Sequence, residues 1–194
     1  MGFRILKRAN LGFMMIFGLF GKKNSNTAIV ERQYQLLTSA ARRPYLYTDL
    51  DVPDTVMGRF EMLSASLILY FRRTRTSPRA GQEIAQEIID AFFEDVDHSI
   101  RELGVGDVGV PKRMKKLAAM FYGRLESYSA ALENKDRDEL AAALKRNFHP
   151  QTENDALTMR GLADYLLAAE AQLALQGEDV VETGRIDLPD AAAA

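Results

Sequence analysis

Apolar residues recur every three or four positions through most of this chain, and the two-residue alternation of a half-buried strand is nearly absent. The clearest stripe is Ile84, Ile88, Phe92, Val96 and Ile100, widened by Ala85, Ile89 and Phe93. A face that wide predicts a central, buried helix. The same spacing runs through Ile29, Gln33, Leu36, Leu37 and Ala40 until Arg43-Pro44 ends it, and then through Phe60, Leu63, Leu67 and Tyr70. It returns in Met114, Leu117, Phe121, Leu125, Tyr128 and Leu132 after Pro111, and in Leu157, Leu162, Leu166, Ala169 and Leu173.

Punctuation fits this reading. Pro44 to Pro53 reads as a loop, with Asp54 as the cap of the helix after it. Arg72, Arg73 and Arg75 suit the negative end of that helix, and Ser77-Pro78 makes a turn. Gly104 stops the third helix. Asp136 with Glu139 starts a short fifth helix that runs to Phe148, and Thr152 with Asp155 starts a sixth. The expectation is an all-α fold: a single compact domain of about six helices in an irregular bundle, over residues 25–175. At 194 residues and 47% apolar, the chain is long enough for one such core. Residues 176–194 turn acidic and small, and read as a flexible tail.

The net charge of −2 conceals an asymmetry. Residues 1–23 carry five cations and no acid, which leaves −7 for the remainder. The basic excess flanks Leu11 to Phe20, ten residues where a membrane-spanning helix needs about 20. No small-residue cleavage site follows, since the chain continues Gly21-Lys22-Lys23-Asn24, and Leu6 occupies the place where myristoylation prefers Ser or Thr. Two readings of residues 1–24 stand side by side. Phe13, Met14, Ile16, Phe17, Leu19 and Phe20, with Lys22 and Lys23, dip into an anionic membrane surface, or Met14 or Met15 is the true start.

Catalytic chemistry is sparse. The absence of cysteine excludes disulfides, thiolate metal sites and cysteine nucleophiles. His98 has Glu94 and Glu102 a turn to either side, but a di-iron bundle needs a second Glu-x-x-His, and His149 precedes Pro150 with no acid three residues before it. Gly104-Val-Gly-Asp-Val-Gly109 follows a helix where a dinucleotide loop follows a strand, and it lacks the Gly-Lys-Ser/Thr of a Walker loop. It reads as a helix-to-helix connection. Arg59, Glu61, Arg72, Arg73 and Arg124 would clamp a phosphate or carboxylate if they converged.

Lys112, Arg113, Lys115 and Lys116 crowd the first turns of the fourth helix, where positive charge opposes the dipole at about 0.3–1 kcal/mol per residue. An acidic partner, ribosomal RNA or a lipid head-group surface would each account for them; so would pairing with Glu94, Asp95, Asp97 and Glu102.

Two blocks carry a family likeness. The first is Asp51-Val-Pro-Asp-Thr55, Gly58-Arg-Phe-Glu-Met62 and Arg72-Arg73. The second is Phe93-Glu-Asp-Val-Asp97, Arg101-Glu-Leu-Gly-Val-Gly-Asp107, Lys112-Arg-Met-Lys115 and Phe121-Tyr-Gly-Arg124, with Tyr128 and Ala131-Leu132 behind. In this order and separation they resemble the ubiquinol–cytochrome c chaperone family from about Tyr34 to Leu175. One departure is Ser64-Ala65-Ser66, where many members have a histidine after the Arg-Phe-Glu block.

The resemblance implies a non-catalytic assembly factor of the cytochrome bc1 complex, without cofactor, metal or DNA. Its implied partners are newly made cytochrome b, the ribosome surface and a second assembly factor, met in the cytoplasm at the inner face of the membrane. The expected contact surface comprises Asp51, Asp54, Arg59 and Glu61, then Asp107, Lys112, Arg113, Lys115, Lys116, Phe121, Tyr122 and Arg124. Phe121 and Tyr122, with Tyr45 and Tyr47, either line an apolar groove for the client or belong to the core. The competing expectation is a helical carrier or enzyme acting on an amphipathic quinone or prenyl ligand, in a pocket bounded by Arg59 and Arg124.

Overall fold

The computed structural model describes residues 26–152 and 157–190. Among them are eight helices and no strand: α1 Thr27–Ala40, α2 Pro44–Thr48, α3 Val56–Thr74, α4 Arg79–Glu102, α5 Val110–Glu133, α6 Arg137–Phe148, α7 Arg160–Ala174 and α8 Glu178–Glu182. The all-α expectation holds. Residues 13–23, expected to touch a membrane, lie outside the described residues, and no described helix is long and apolar enough to cross one.

The central helix is α3, where the apolar stripe had pointed to α4. Residues 64–70 of α3 are buried without a break, so this helix has no solvent face in its middle. Two small polar residues make that possible. Ser64 Oγ donates to the Phe60 carbonyl at 2.8 Å and Ser66 Oγ to the Met62 carbonyl at 3.1 Å, so each hydroxyl is satisfied inside its own helix. Helices α1, α4, α5, α6 and α7 all pack against α3. Helix α4 is amphipathic, with Ile84, Ile88, Phe92, Phe93, Val96 and Ile100 inward and its acids outward.

Three boundaries differ from expectation. The stretch after Pro44 forms α2, because Pro at the first helical position suits a helix start and Leu46 anchors the turn at 0% exposure. The cap of α3 is Thr55, whose Oγ1 accepts from the Gly58 N–H at 3.0 Å, one residue later than the expected Asp54. Helix α7 begins at Arg160 after a buried Met159 at φ 53°, so Leu157 packs on the core from outside the helix. Asp155, the expected cap partner, lies outside the described residues.

The acidic C-terminal segment, read as flexible, folds back onto the body. Val181, Ile186 and Leu188 are all buried. The buried Gln33 of α1 holds the segment much as a neighbouring strand would, its Nε2 donating to the Ile186 carbonyl at 2.7 Å and its Oε1 accepting from the Ile186 N–H at 2.9 Å. Arg43 donates to the Leu188 and Pro189 carbonyls, both at 2.7 Å, and pairs with Asp187 and Asp190. Gly184 sits at φ +63°, where an added Cβ would come within 2.5 Å of the Ile29 carbonyl oxygen. Composition saw the acids and missed three apolar anchors spaced between them.

Deleting residues 178–194 uncovers these anchors and leaves the Gln33 amide without its partners. We expect a loss of more than about 3 kcal/mol in urea unfolding. Equal stability of the truncated and full chains would return the segment to a loose tail.

Candidate partner-binding surface

The first block of family-like residues is a turn held shut by backbone geometry. Asp51 adopts φ 59°, and its carbonyl accepts from His149 Nε2 at 2.7 Å, which ties this turn to the end of α6. Val52 is buried and its N–H donates to the Leu46 carbonyl at 3.1 Å. The Pro53 carbonyl then lies directly over α3 at Gly58, where a Cβ would stand 1.9 Å from that oxygen. Only glycine permits the approach. Asp54 and Arg59 close the turn on the outside as a surface pair at 2.7 Å, both more than half exposed.

Glu61 is different in kind. Its side chain is 2% exposed, and both carboxylate oxygens accept from Arg124 of α5, at 2.6 Å each, while Arg124 also donates to the Met120 carbonyl at 3.0 Å. Burial pushes the Glu61 carboxyl above its ordinary range, and the guanidinium offsets this only in part. Tyr128 is buried beside the pair, its hydroxyl accepting from Asn147 Nδ2 at 3.0 Å, and burial raises its pKa.

The second block forms the turn between α4 and α5. Gly104 takes φ +79° just past the end of α4, as a helix stop requires. Arg101 pairs with Asp97 at 2.6 Å and also with Asp107, which commits Asp107 to the turn itself. Lys112, Arg113, Lys115 and Lys116 are exposed, and none forms an ion pair with an acid among the described residues. The intramolecular explanation of this cluster therefore fails: Asp97 is taken by Arg101, and Asp95 accepts the Tyr34 hydroxyl at 2.9 Å. Leu103 and Val108, which sequence reasoning passed over, stand 61% and 97% exposed on the same turn. The signal was available, since two branched apolar residues in a glycine-rich connection have no helical face to occupy.

Other expected site residues are spent inside. Phe121 is 1% exposed and packs among Phe71, Phe92 and Phe93, so it belongs to the core and lines no groove. Tyr122 is half-buried against Phe93 and Phe121. Tyr45 lies edge-on to Tyr165, and Tyr47 donates its hydroxyl to the Ala41 carbonyl at 2.7 Å. Arg59 and Arg124 bound no common pocket, one facing a surface aspartate and the other a buried glutamate. Arg72 is held by Glu170, Glu133 and the Ser129 carbonyl, and Arg73 by Glu178 and the Gln176 carbonyl.

Two open depressions lie elsewhere. One of about 570 Å³ is bordered by Arg43, Gln172, Leu175 and Asp187, and one of about 280 Å³ by Asp138, Lys145 and Arg160. No group of three or more His, Asp or Glu is placed to hold a metal among the described residues, and His98 is exposed.

Known proteins share this arrangement. The model of the family described as Ubiquinol-cytochrome C chaperone matches residues 48–188, which takes in both blocks and most of the folded-back C-terminal segment. The ubiquinol-cytochrome-c reductase complex assembly factor 1 of Xenopus laevis is 27% identical over 136 residues, covering 70% of this chain and 68% of its own length. The Mus musculus factor of the same name is 27% identical over 136 residues, and the chain spans 46% of its length. The crystal structure of the Cbp3 homolog from Brucella abortus is 41% identical, with a TM-score of 0.79 over 99% of this chain and 98% of that one.

The Glu61–Arg124 pair makes a sharp test of the core. Arg124→Met leaves a buried carboxylate without its cation and is expected to cost about 3–5 kcal/mol, whereas Glu61→Met with Arg124→Met recovers most of that loss. The sign with pH follows from the raised carboxyl. A group that binds its proton more tightly folded than unfolded contributes stability in acid that is lost as pH rises through the folded pKa. Urea melts of Arg124→Met should therefore show a smaller deficit in mild acid than at neutrality, and a pH-independent deficit would contradict the assignment.

Proposed function

The chain belongs to the ubiquinol–cytochrome c chaperone family, and on that premise we propose that it assists assembly of the cytochrome bc1 complex by binding newly made cytochrome b in the cytoplasm, at the inner face of the membrane. The observation that carries this reading is the family match across residues 48–188, together with a solved homologue that covers 99% of the chain. An assembly factor works by holding and releasing a client, so its working parts are surfaces.

The geometry supports a binding role in two ways. The arginines that would bound a ligand pocket face different partners, Arg59 a surface aspartate and Arg124 a buried glutamate, which weighs against the quinone or prenyl alternative. The large apolar side chains left in solvent stand at helix ends and turns: Val56 at 62% and Met57 at 44% on the first turn of α3, Leu103 and Val108 between α4 and α5, and Leu175 at the end of α7. Val56 and Met57 follow directly on the Asp51–Thr55 turn, in the gap between it and the Gly58–Met62 run of the first family block. Apolar residues on a rigid turn suit a client that is itself apolar, and methionine adapts to many shapes. The ribosome surface and a second assembly factor are further partners in this proposal, and both would meet a protein that is basic at the start of α5.

Removing the gene is expected to deplete the assembled bc1 complex on native gels, and a photo-crosslinker placed at Met57 in cells should capture cytochrome b. Undiminished complex in the deletion strain would end the reading. Loss of complex without any cytochrome b adduct at Met57 or Val56 would keep the assembly role and move the client site.

A further inference from the structure

The α4–α5 turn is exposed at its tip, where Leu103, Gly104, Gly106, Asp107 and Val108 all face solvent. Helices α3 and α4 are joined by a tight turn and run antiparallel, with Phe60 stacked on Phe92 at 5.9 Å between ring centroids. From that level α3 has four residues left, ending at Val56, while α4 continues ten residues to Glu102. At 1.5 Å per residue the end of α4 and the start of α5 project about 9 Å further than α3. Helix α1 touches α4 at Tyr34–Asp95. Beyond that level Ile100 and Val110 stay buried and Val105 packs on the core, so the hairpin is seated at its base and exposed at its tip.

Its tip is amphiphilic in an ordered way. Val108 and Leu103 occupy the turn itself, and Lys112, Arg113, Lys115 and Lys116 follow over the next two turns of α5. Residues 101–116 hold five cations against two acids, Glu102 and Asp107, and Asp107 is already paired with Arg101. The acids of α4 nearest the cluster are Glu94, Asp97 and Glu102, and none pairs with it. Cations at a helix start oppose the dipole, so folding alone does not favour them. Nucleic acid would use the cations and leave Leu103 and Val108 without purpose. An interface that is anionic at its surface and apolar a few ångströms deeper uses both.

We propose that this hairpin is a membrane-contacting tip: Lys112, Arg113, Lys115 and Lys116 take anionic phospholipid head groups while Leu103 and Val108 enter the boundary between head groups and acyl chains. The inference rests on the reading that the protein works at the membrane face, and it names a surface for that contact distinct from residues 1–24. The start of α3 lies at the same end of the bundle, because α3 and α5 run parallel and are clamped by Glu61–Arg124.

The chain contains no tryptophan, so Val108→Trp in the full chain places a single reporter at the tip. Vesicles of phosphatidylcholine with about a quarter phosphatidylglycerol should shift its emission to the blue and expose it to quenching by brominated acyl chains, while pure phosphatidylcholine should not. Adding Lys112→Gln and Lys116→Gln should lower partitioning onto the anionic vesicles by about thirtyfold. Flotation of the protein with an unshifted reporter would place the contact elsewhere and overturn the proposal, as would a reporter that responds to RNA or an acidic peptide but not to vesicles. No client is present in this assay, so its failure leaves the assembly role standing.

Discussion

Helix α3 is buried on every side along its middle, and the other long helices take their places around that fact. A helix without a solvent face cannot leave its polar groups to water, and of those on α3 the Tyr70 hydroxyl alone among the described buried side chains of this helix is left without a hydrogen-bond partner. Ser64, Ser66 and Thr74 donate to carbonyls of their own helix. Glu61, the one acid among its buried residues, requires Arg124 from α5, which sets how α5 lies along α3. At the other end, Arg72 and Arg73 reach outward to α5, α7 and the segment that begins α8. The polar residues of α3 thus fix the positions of its neighbours at both ends, and the apolar residues between them supply the cohesion.

This explains which parts of the fold could be read from the sequence. Helix α4 was legible because its inner face is apolar and its outer face charged, and Gly104 and Asp136 were legible because a helix end needs that chemistry. The central role of α3 was hidden by the same serines that allow it, since a count of apolar residues treats a buried serine as surface. Helix α2 was too short to show a period, and the start of α7 was displaced by the left-handed turn at Met159. In the C-terminal segment three apolar residues among many acids were outvoted in any average.

The functional surface was legible in a different sense. The residues that identify the family are mostly architectural: Pro53 over Gly58, Asp54 with Arg59, Arg101 with Asp107, Phe121 in the core and Arg124 on Glu61. They identify the fold because they build it, which is why reading them as contact residues overestimated the exposed site. The exposed groups outside these pairs include four cations of α5, two apolar residues on the turn before it, and two at the start of α3. Neither apolar pair lies on a helical stripe, so periodicity had no means of finding it.

The pairing of Gln33 with Ile186 joins the first described helix to nearly the last described residues. A contact that spans most of the chain cannot form while the later residues are still to be made, so Gln33 waits for its partners even where α1 has already docked on α3 and α4. Completion of this domain therefore waits on residue 186, however early the helices between have docked. A protein proposed to attend another chain as it emerges gains its own last layer of packing only after the rest of its bundle has been made.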